Sequence, residues 1–155
     1  MERRIAFPAF EHSVFTTCDI IFNDTFSSRI NYETVFDTME AFTVMGSYDH
    51  TKGGHIVCWD DHTMIELRPG STVLLAAGCK QFSFTATGPG ETQFLFRQYC
   101  DASIMRWLHK RGHSDGEFEQ LQGSAEIAMW EEARANRGCA ALGMFSQLQD
   151  LFALS

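Results

Sequence analysis

Residues 53–99 read GGHIVCWDDHTMIELRPGSTVLLAAGCKQFSFTATGPGETQFLFRQY, and this stretch decides the fold. Apolar and polar residues alternate at 63–67 and again at 81–84, which is the period of a strand with one buried face. The apolar runs are separated by Gly-Gly, Asp-Asp-His, Arg-Pro-Gly and Gly-Pro-Gly turns. Evenly spaced short strands with such turns are typical of a β-sandwich, barrel or jelly roll. We therefore predict a mostly β fold.

The same patterns extend towards the N-terminus and define a β-core at about residues 13–99. The predicted strands lie at 13–22, 39–46, 55–59, 63–67, 71–76, 80–86 and 92–99. The connection at Gly88-Pro89-Gly90 is short enough for a hairpin between the last two strands.

The apolar period becomes helical after the last predicted strand. A first helix is predicted over 101–111, and Ser114 with Glu117 fits a capping box for a second. A third is predicted over 125–137, with Gly138 as its end. A last helix would carry one apolar stripe formed by Leu142, Phe145, Leu148, Leu151 and Phe152.

Composition favours one domain spanning residues 1–155, with about three or four helices at 101–153 as a cap on the β-core. Apolar residues make up 45% of the chain, and the 14 phenylalanines would fill the space between two packed sheets. Five scattered cysteines without a C-x-x-C pair predict reduced thiols and an intracellular protein, cytoplasmic or nuclear. The sequence has no signal peptide and no apolar run of membrane-spanning length, so we expect no membrane association.

The net charge of the chain indicates which classes of partner it can bind. The net charge is −8, with 20 acidic residues against 12 basic ones. The basic residues cluster only at Arg106, Lys110 and Arg111, which more commonly form a solvated helix end than a nucleic-acid patch. The acidity disfavours strong binding to a phosphate backbone. No partner can be named from the sequence.

The order of turns and strands resembles the end of the double-stranded β-helix of iron- and 2-oxoglutarate-dependent dioxygenases. More narrowly, it is similar to a large fungal, often transposon-associated family related to the TET and JBP nucleic-acid oxygenases. The motifs that carry the resemblance are Tyr48-Asp49, Gly53-Gly54-His55, Trp59-Asp60, Pro69-Gly70-Ser71-Thr72 and Phe96-x-Gln98-Tyr99. The resemblance covers about residues 13–155 and implies a jelly-roll core. In an active member it implies Fe(II) and 2-oxoglutarate as cofactors and a methylated nucleobase as substrate.

The resemblance also assigns site positions, and this chain departs from the family at each of them. The H-x-D pair of iron ligands falls on Arg29 and Asn31, the second histidine on Phe82, and the basic residue that binds 2-oxoglutarate on Gln93. Arginine offers only hydrogen-bond donors, asparagine a neutral oxygen, and phenylalanine no lone pair. Glutamine lacks the charge-assisted bidentate grip of arginine. These four positions predict a degenerate pocket with no catalytic residue and no bound metal.

Arg97 is an alternative anion anchor, because it shares strand parity with Gln93 and faces the same side. It lies four residues along the strand, about 13 Å away, so a structural ion pair is the default interpretation. His50, His55 and His62 form a weak alternative metal cluster in the turns. For His55 we expect instead a bond to a backbone carbonyl or to a neighbouring side chain, and for Asp60 a turn-stabilising role.

Three functional hypotheses follow. The favoured one is a non-catalytic relative, or pseudoenzyme, of the TET/JBP-like dioxygenases that serves as a binding or vestigial transposon-associated domain and needs no cofactor. The alternative is an active Fe(II) and 2-oxoglutarate-dependent dioxygenase that oxidises a methylated base in nucleic acid. The third is a jelly roll that binds a small molecule or a metal through the three turn histidines.

Overall fold

The computed structural model describes residues 11, 13–23, 25 and 27–145, and these form seven strands and three helices. The strands are β1 (Thr17–Phe22), β2 (Glu40–Ser47), β3 (Ile56–Cys58), β4 (Thr63–Ile65), β5 (Thr72–Leu75), β6 (Phe82–Phe84) and β7 (Thr92–Tyr99). The helices are α1 (Ala102–His109), α2 (Asp115–Leu121) and α3 (Ser124–Leu142). The chain divides after Ile104 into two compact units. The assignment of the whole chain to one domain stays a prediction.

The strands form two antiparallel sheets in the first unit. One has four strands in the order β1-β7-β2-β5, and the other has three in the order β4-β3-β6. Phe42 and Leu95 of the larger sheet share one hydrophobic core with Ile56 and Phe84 of the smaller one. Because successive side chains along a strand point to opposite faces, one face of each sheet points into this core. The prediction of a mostly β fold followed by C-terminal helices is confirmed.

Each predicted strand has a counterpart, but the predicted hairpin at Gly88-Pro89-Gly90 is wrong. The strands on either side of it, β6 and β7, belong to different sheets. The carboxylate of Glu91 accepts hydrogen bonds from the backbone of Gly88, at 2.6 Å, and of Asp49, at 2.9 Å. This carboxylate ties the turn to the residues that follow β2, the strand with which β7 pairs. The three residues of β6 offer β7 far fewer ladder bonds than β1 and β2 do.

The first two predicted helices are confirmed as α1 and α2. The Ser114 hydroxyl accepts a hydrogen bond from the backbone of Glu117, and the Glu117 carboxylate accepts one from the backbone of Ser114, at 2.9 Å. This is the predicted capping box, which satisfies two amides at the helix start. Among the described residues, no helix has both the length and the apolar character needed to cross a bilayer.

The predicted end of the third helix is wrong, because α3 continues through Gly138 to Leu142. Gly138 does not adopt the positive φ of a left-handed helix cap. Cys139 follows it, and then two alanines and a leucine, which are strong helix formers, so the helix continues to Leu142. Of the predicted last stripe, Leu142 belongs to α3, whereas the positions from Leu148 onwards lie outside the described residues.

Lys110, a member of the predicted basic cluster, has a structural role in the second unit. Its side chain is buried, and the ammonium group donates to Asp115 at 2.5 Å. The same group lies 4.3 Å from the ring centroid of Trp130 and 5.7 Å from that of Phe118. Aromatic faces attract a cation electrostatically, so this lysine links the end of α1 to α2 and α3.

We expect Ser114→Ala to lower the free energy of unfolding by about 1 kcal/mol, because one amide at the start of α2 loses its partner. Urea unfolding followed by circular dichroism at 222 nm measures the loss. Glu117→Gln is the matched control: its amide oxygen can still accept from Ser114, so the loss should be smaller. An equal loss in both variants would contradict the capping role of the hydroxyl.

Candidate functional site

The candidate site is the interior of the β-sandwich, onto which β7 points every second side chain. Gln93, Leu95, Arg97 and Tyr99 are buried, and the residues between them are less so. The prediction that Gln93 and Arg97 share a face is confirmed.

Phe82, at the position that the resemblance gives to an iron-binding histidine, lies in the hydrophobic core. Only 1% of it is exposed. Its ring centroid lies 5.8 Å from that of Phe42 and 6.2 Å from that of Phe84, and Phe42 and Phe84 are 5.5 Å apart. The tilted and edge-on orientations of these three rings are favourable aromatic geometries. Hydrocarbon therefore surrounds this position.

Arg29 is the backbone neighbour of Phe82. The two residues form an antiparallel bridge with both amide-to-carbonyl distances at 3.0 Å. The Arg29 side chain is exposed. The structure thus brings these two site positions together through their main chains.

Asn31 is buried and belongs to a group of hydrogen-bonded polar side chains. Its amide nitrogen donates to Oε1 of Glu40 at 2.6 Å, and the hydroxyl of Thr34 donates to the same oxygen. Glu40 is fully buried at the start of β2, on the face that also carries Phe42. The asparagine therefore acts as a partner of a buried carboxyl group.

Arg97 provides the positive charge nearest to this group. Its guanidinium forms ion pairs with Asp19 and with Glu33, the latter at 3.3 Å, and stacks 4.1 Å from the ring centroid of Tyr99. The predicted structural ion pair is confirmed. Burial opposes the charge on the guanidinium, but Glu40 and Asp19 outweigh this effect and raise the pKa of Arg97.

We call Asn31, Thr34, Glu40 and Arg97 the interior polar cluster. Two of its buried atoms, Oε2 of Glu40 and Nε of Arg97, have no hydrogen-bond partner among the described residues. Burial raises the pKa of Glu40 above its ordinary value of 4.5, although bonds from Thr34 and Asn31 and the charge of Arg97 oppose the shift. Burial therefore disfavours the charged form of the Glu40 carboxyl group, while its hydrogen-bond partners and Arg97 favour that form.

Gln93 stands at the position that the resemblance gives to the 2-oxoglutarate anchor, and its side chain is already engaged. Its amide donates to the carbonyl oxygen of Gly54 at 2.9 Å and hydrogen-bonds the phenol of Tyr48. That phenol also donates to the carbonyl of Leu67 at 2.5 Å, and burial raises its pKa. Gly54 has φ +71°, and a Cβ there would collide with the amide of Gln93. The lack of a side chain at Gly54 leaves the space that the amide of Gln93 occupies at this end of the interior.

Three of the four predicted positions, Asn31, Phe82 and Gln93, are distributed along the interior, whereas the Arg29 side chain is exposed. Gln93 pairs with Gly46 near the end of β2, whereas Asn31 contacts Glu40 at its beginning. Six residues of strand separate Gly46 from Glu40, which is about 20 Å at 3.4 Å per residue. The aromatic core around Phe82 lies between these ends on the same face.

The turn histidines have other partners. His55 hydrogen-bonds the backbone carbonyl of His50 through Nε2 at 2.7 Å, as predicted, and His50 Nδ1 contacts Glu66 at 2.5 Å. His62 is exposed at a turn with φ 49°. Asp60 accepts from the backbone of Gln81 at 2.7 Å. Within residues 11–145 as far as they are described, no group of three or more His, Cys, Asp and Glu side chains could hold a metal ion.

We expect Glu40→Gln to gain stability relative to the wild type as the pH rises from about 4 to 8. Because folding raises the Glu40 pKa, its contribution to stability is fully present below about pH 4.5 and is lost as the pH rises through the folded-state pKa. Glutamine does not titrate, and each unit of pKa shift corresponds to about 1.4 kcal/mol.

Urea unfolding of both proteins at the two pH values measures this difference. Glu33→Gln, which removes an exposed carboxylate beside Arg97, is the control and should show a much smaller pH dependence. A stability difference between Glu40→Gln and the wild type that stays constant with pH would contradict the raised pKa.

Glu40 and Thr34 were missed by the sequence analysis. Glu40 could have been found from the sequence, because it precedes Phe42 and Val44 at the two-residue spacing of one strand face. That spacing places its carboxyl group in the core. Thr34 lies between strands, where spacing carries no such information.

The chain matches no protein-family model, and no curated protein is significantly similar to it.

Proposed function

We propose that this chain is a non-catalytic relative of the TET/JBP-like Fe(II) and 2-oxoglutarate dioxygenases, with a jelly-roll core that serves as a binding domain. The observation that carries the proposal is the packing of Phe82 between Phe42 and Phe84. A metal at that position would need a lone pair that the ring lacks, and it would have to displace hydrocarbon.

The other positions support the same proposal. The amide of Asn31 is committed to Glu40, and that of Gln93 to Gly54 and Tyr48. The exposed Arg29 offers only donors. This donor set does not fit an iron centre, which takes imidazole and carboxylate ligands.

We also propose an intracellular location, cytoplasmic or nuclear, in agreement with the five cysteines, all of which are free thiols. The net charge of −8 makes nucleic acid a poor candidate for the partner.

Anaerobic addition of Fe(II) and 2-oxoglutarate tests the proposal. We expect no visible charge-transfer band and no thermal stabilisation. A functional centre at ligand concentrations a hundred times its Kd would instead add about 2.7 kcal/mol to the free energy of unfolding. A band together with such stabilisation would favour the active dioxygenase and overturn the proposal.

Phe82→His gives a second test. We expect no stoichiometric iron binding, because Arg29 and Asn31 still offer no suitable ligand. We also expect lower stability, since a polar imidazole would replace a hydrocarbon ring packed against Phe42 and Phe84. Phe84→His is the matched control, because Phe84 belongs to the same three rings but to no ligand position. Stoichiometric iron in Phe82→His alone would show that a ligand set survives around Phe82.

A further inference from the structure

The outer face of the four-stranded sheet carries a continuous set of apolar side chains. The strand register aligns Phe22, Phe94 and Met45 in one row, and Phe22 and Phe94 meet edge to face at 5.0 Å. The next row contains Ile20 and Phe96. Ile20 is 58% exposed, Phe22 65% and Leu74 62%. Monomeric proteins rarely expose contiguous apolar patches larger than a few hundred Å².

Among the described strand residues, none of the side chains on this face is charged, although 32 of the 155 residues in the chain are. The strand alternation assigns it these residues: Cys18, Ile20, Phe22, Ala41, Thr43, Met45, Ser47, Thr72, Leu74, Thr92, Phe94, Phe96 and Gln98. The charged residues of these strands, Asp19, Glu40 and Arg97, belong to the opposite face.

We propose that this outer face is the interface of a homodimer in which two copies pack sheet against sheet. Two chains with a charge of −8 repel each other except where neither presents charge. An uncharged apolar face is also self-complementary under a two-fold rotation, so a second copy needs no separate matching surface. A basic partner would instead be attracted to the acidic surfaces of the chain.

The size of the face sets the expected affinity. Four strands spaced about 4.8 Å apart, with about six residues each, give a footprint of roughly 20 by 20 Å. This is about half of the roughly 800 Å² per partner of a standard interface. The dimer should therefore be weak and should form in proportion to protein concentration.

Sedimentation equilibrium of the full chain between about 1 µM and 1 mM tests the proposal, because a small interface is half-occupied within this range. We expect the wild type to pass from monomer to dimer. Ile20→Glu should weaken dimerisation at least about a hundredfold, because each copy would have to bury an unpaired charge in the apolar interface. Met64→Glu is the matched control: Met64 is 61% exposed on β4 of the other sheet, and its replacement should leave the dimer intact.

Leu74→Glu, at the other edge of the sheet, replaces Ile20→Glu if that variant fails to fold by circular dichroism. A wild type that stays monomeric over the whole range would overturn the proposal and leave the face to a different protein. A dimer that Ile20→Glu and Leu74→Glu both leave unchanged would overturn it as well.

Discussion

Replacing Arg97 by methionine is expected to lower the free energy of unfolding by about 3–5 kcal/mol. The substitution keeps much of the apolar stem but leaves the buried carboxyl group of Glu40 without its nearest positive charge. Asp19 and Glu33 are partly exposed and can turn to water, whereas Glu40 is fully buried. Denaturant unfolding at neutral pH measures the loss.

The double variant Arg97→Met with Glu40→Gln separates charge from packing. If the loss arises from an uncompensated carboxylate, removing that carboxylate should recover more than half of it. Strictly additive losses would mean that the two side chains act independently, and the account of the interior polar cluster would then be wrong.

Phe42→Ala is expected to cost a similar amount, about 3–5 kcal/mol. The ring of Phe42 contacts both Phe82 and Phe84, and it comes from the opposite sheet. Its removal leaves a cavity between the sheets that their backbones cannot close.

Phe42→Leu keeps most of the volume and should cost less than half as much as Phe42→Ala. Phe22→Ala removes an aromatic ring from the exposed face and should change the stability much less. A large loss for Phe22→Ala with a small one for Phe42→Ala would contradict the location of the core.

Strand positions were predictable because the alternation of buried residues is local. β7 has the predicted bounds, and every second side chain from Gln93 to Tyr99 is buried, although two of these four residues are polar. The pairing of strands was not predictable in the same way. Gly88-Pro89-Gly90 has the composition of a hairpin turn, yet the register of β7 with β1 and β2 determines its sheet.

At the candidate site, too, properties of single residues were predictable, whereas contacts between distant parts of the chain were not. Residue chemistry alone predicted that Arg29, Asn31 and Phe82 are unsuited to iron. Glu40 could be recognised as the partner of Asn31 only once the chain between them had been placed. Gly138 was misread because glycine costs only about 1 kcal/mol inside a helix, and the residues on both sides of Gly138 continue α3.

The central place of β7 has a consequence for biosynthesis. β7 lies between β1 and β2, although it follows them by about seventy and fifty residues, respectively. While the ribosome is still making the chain, β1 has no neighbour to pair with, and its Ile20 and Phe22 stay in water. Such long-range pairing folds slowly. Nascent chains that stop before Thr92 should therefore aggregate or recruit chaperones, and synthesis through Tyr99 should relieve both.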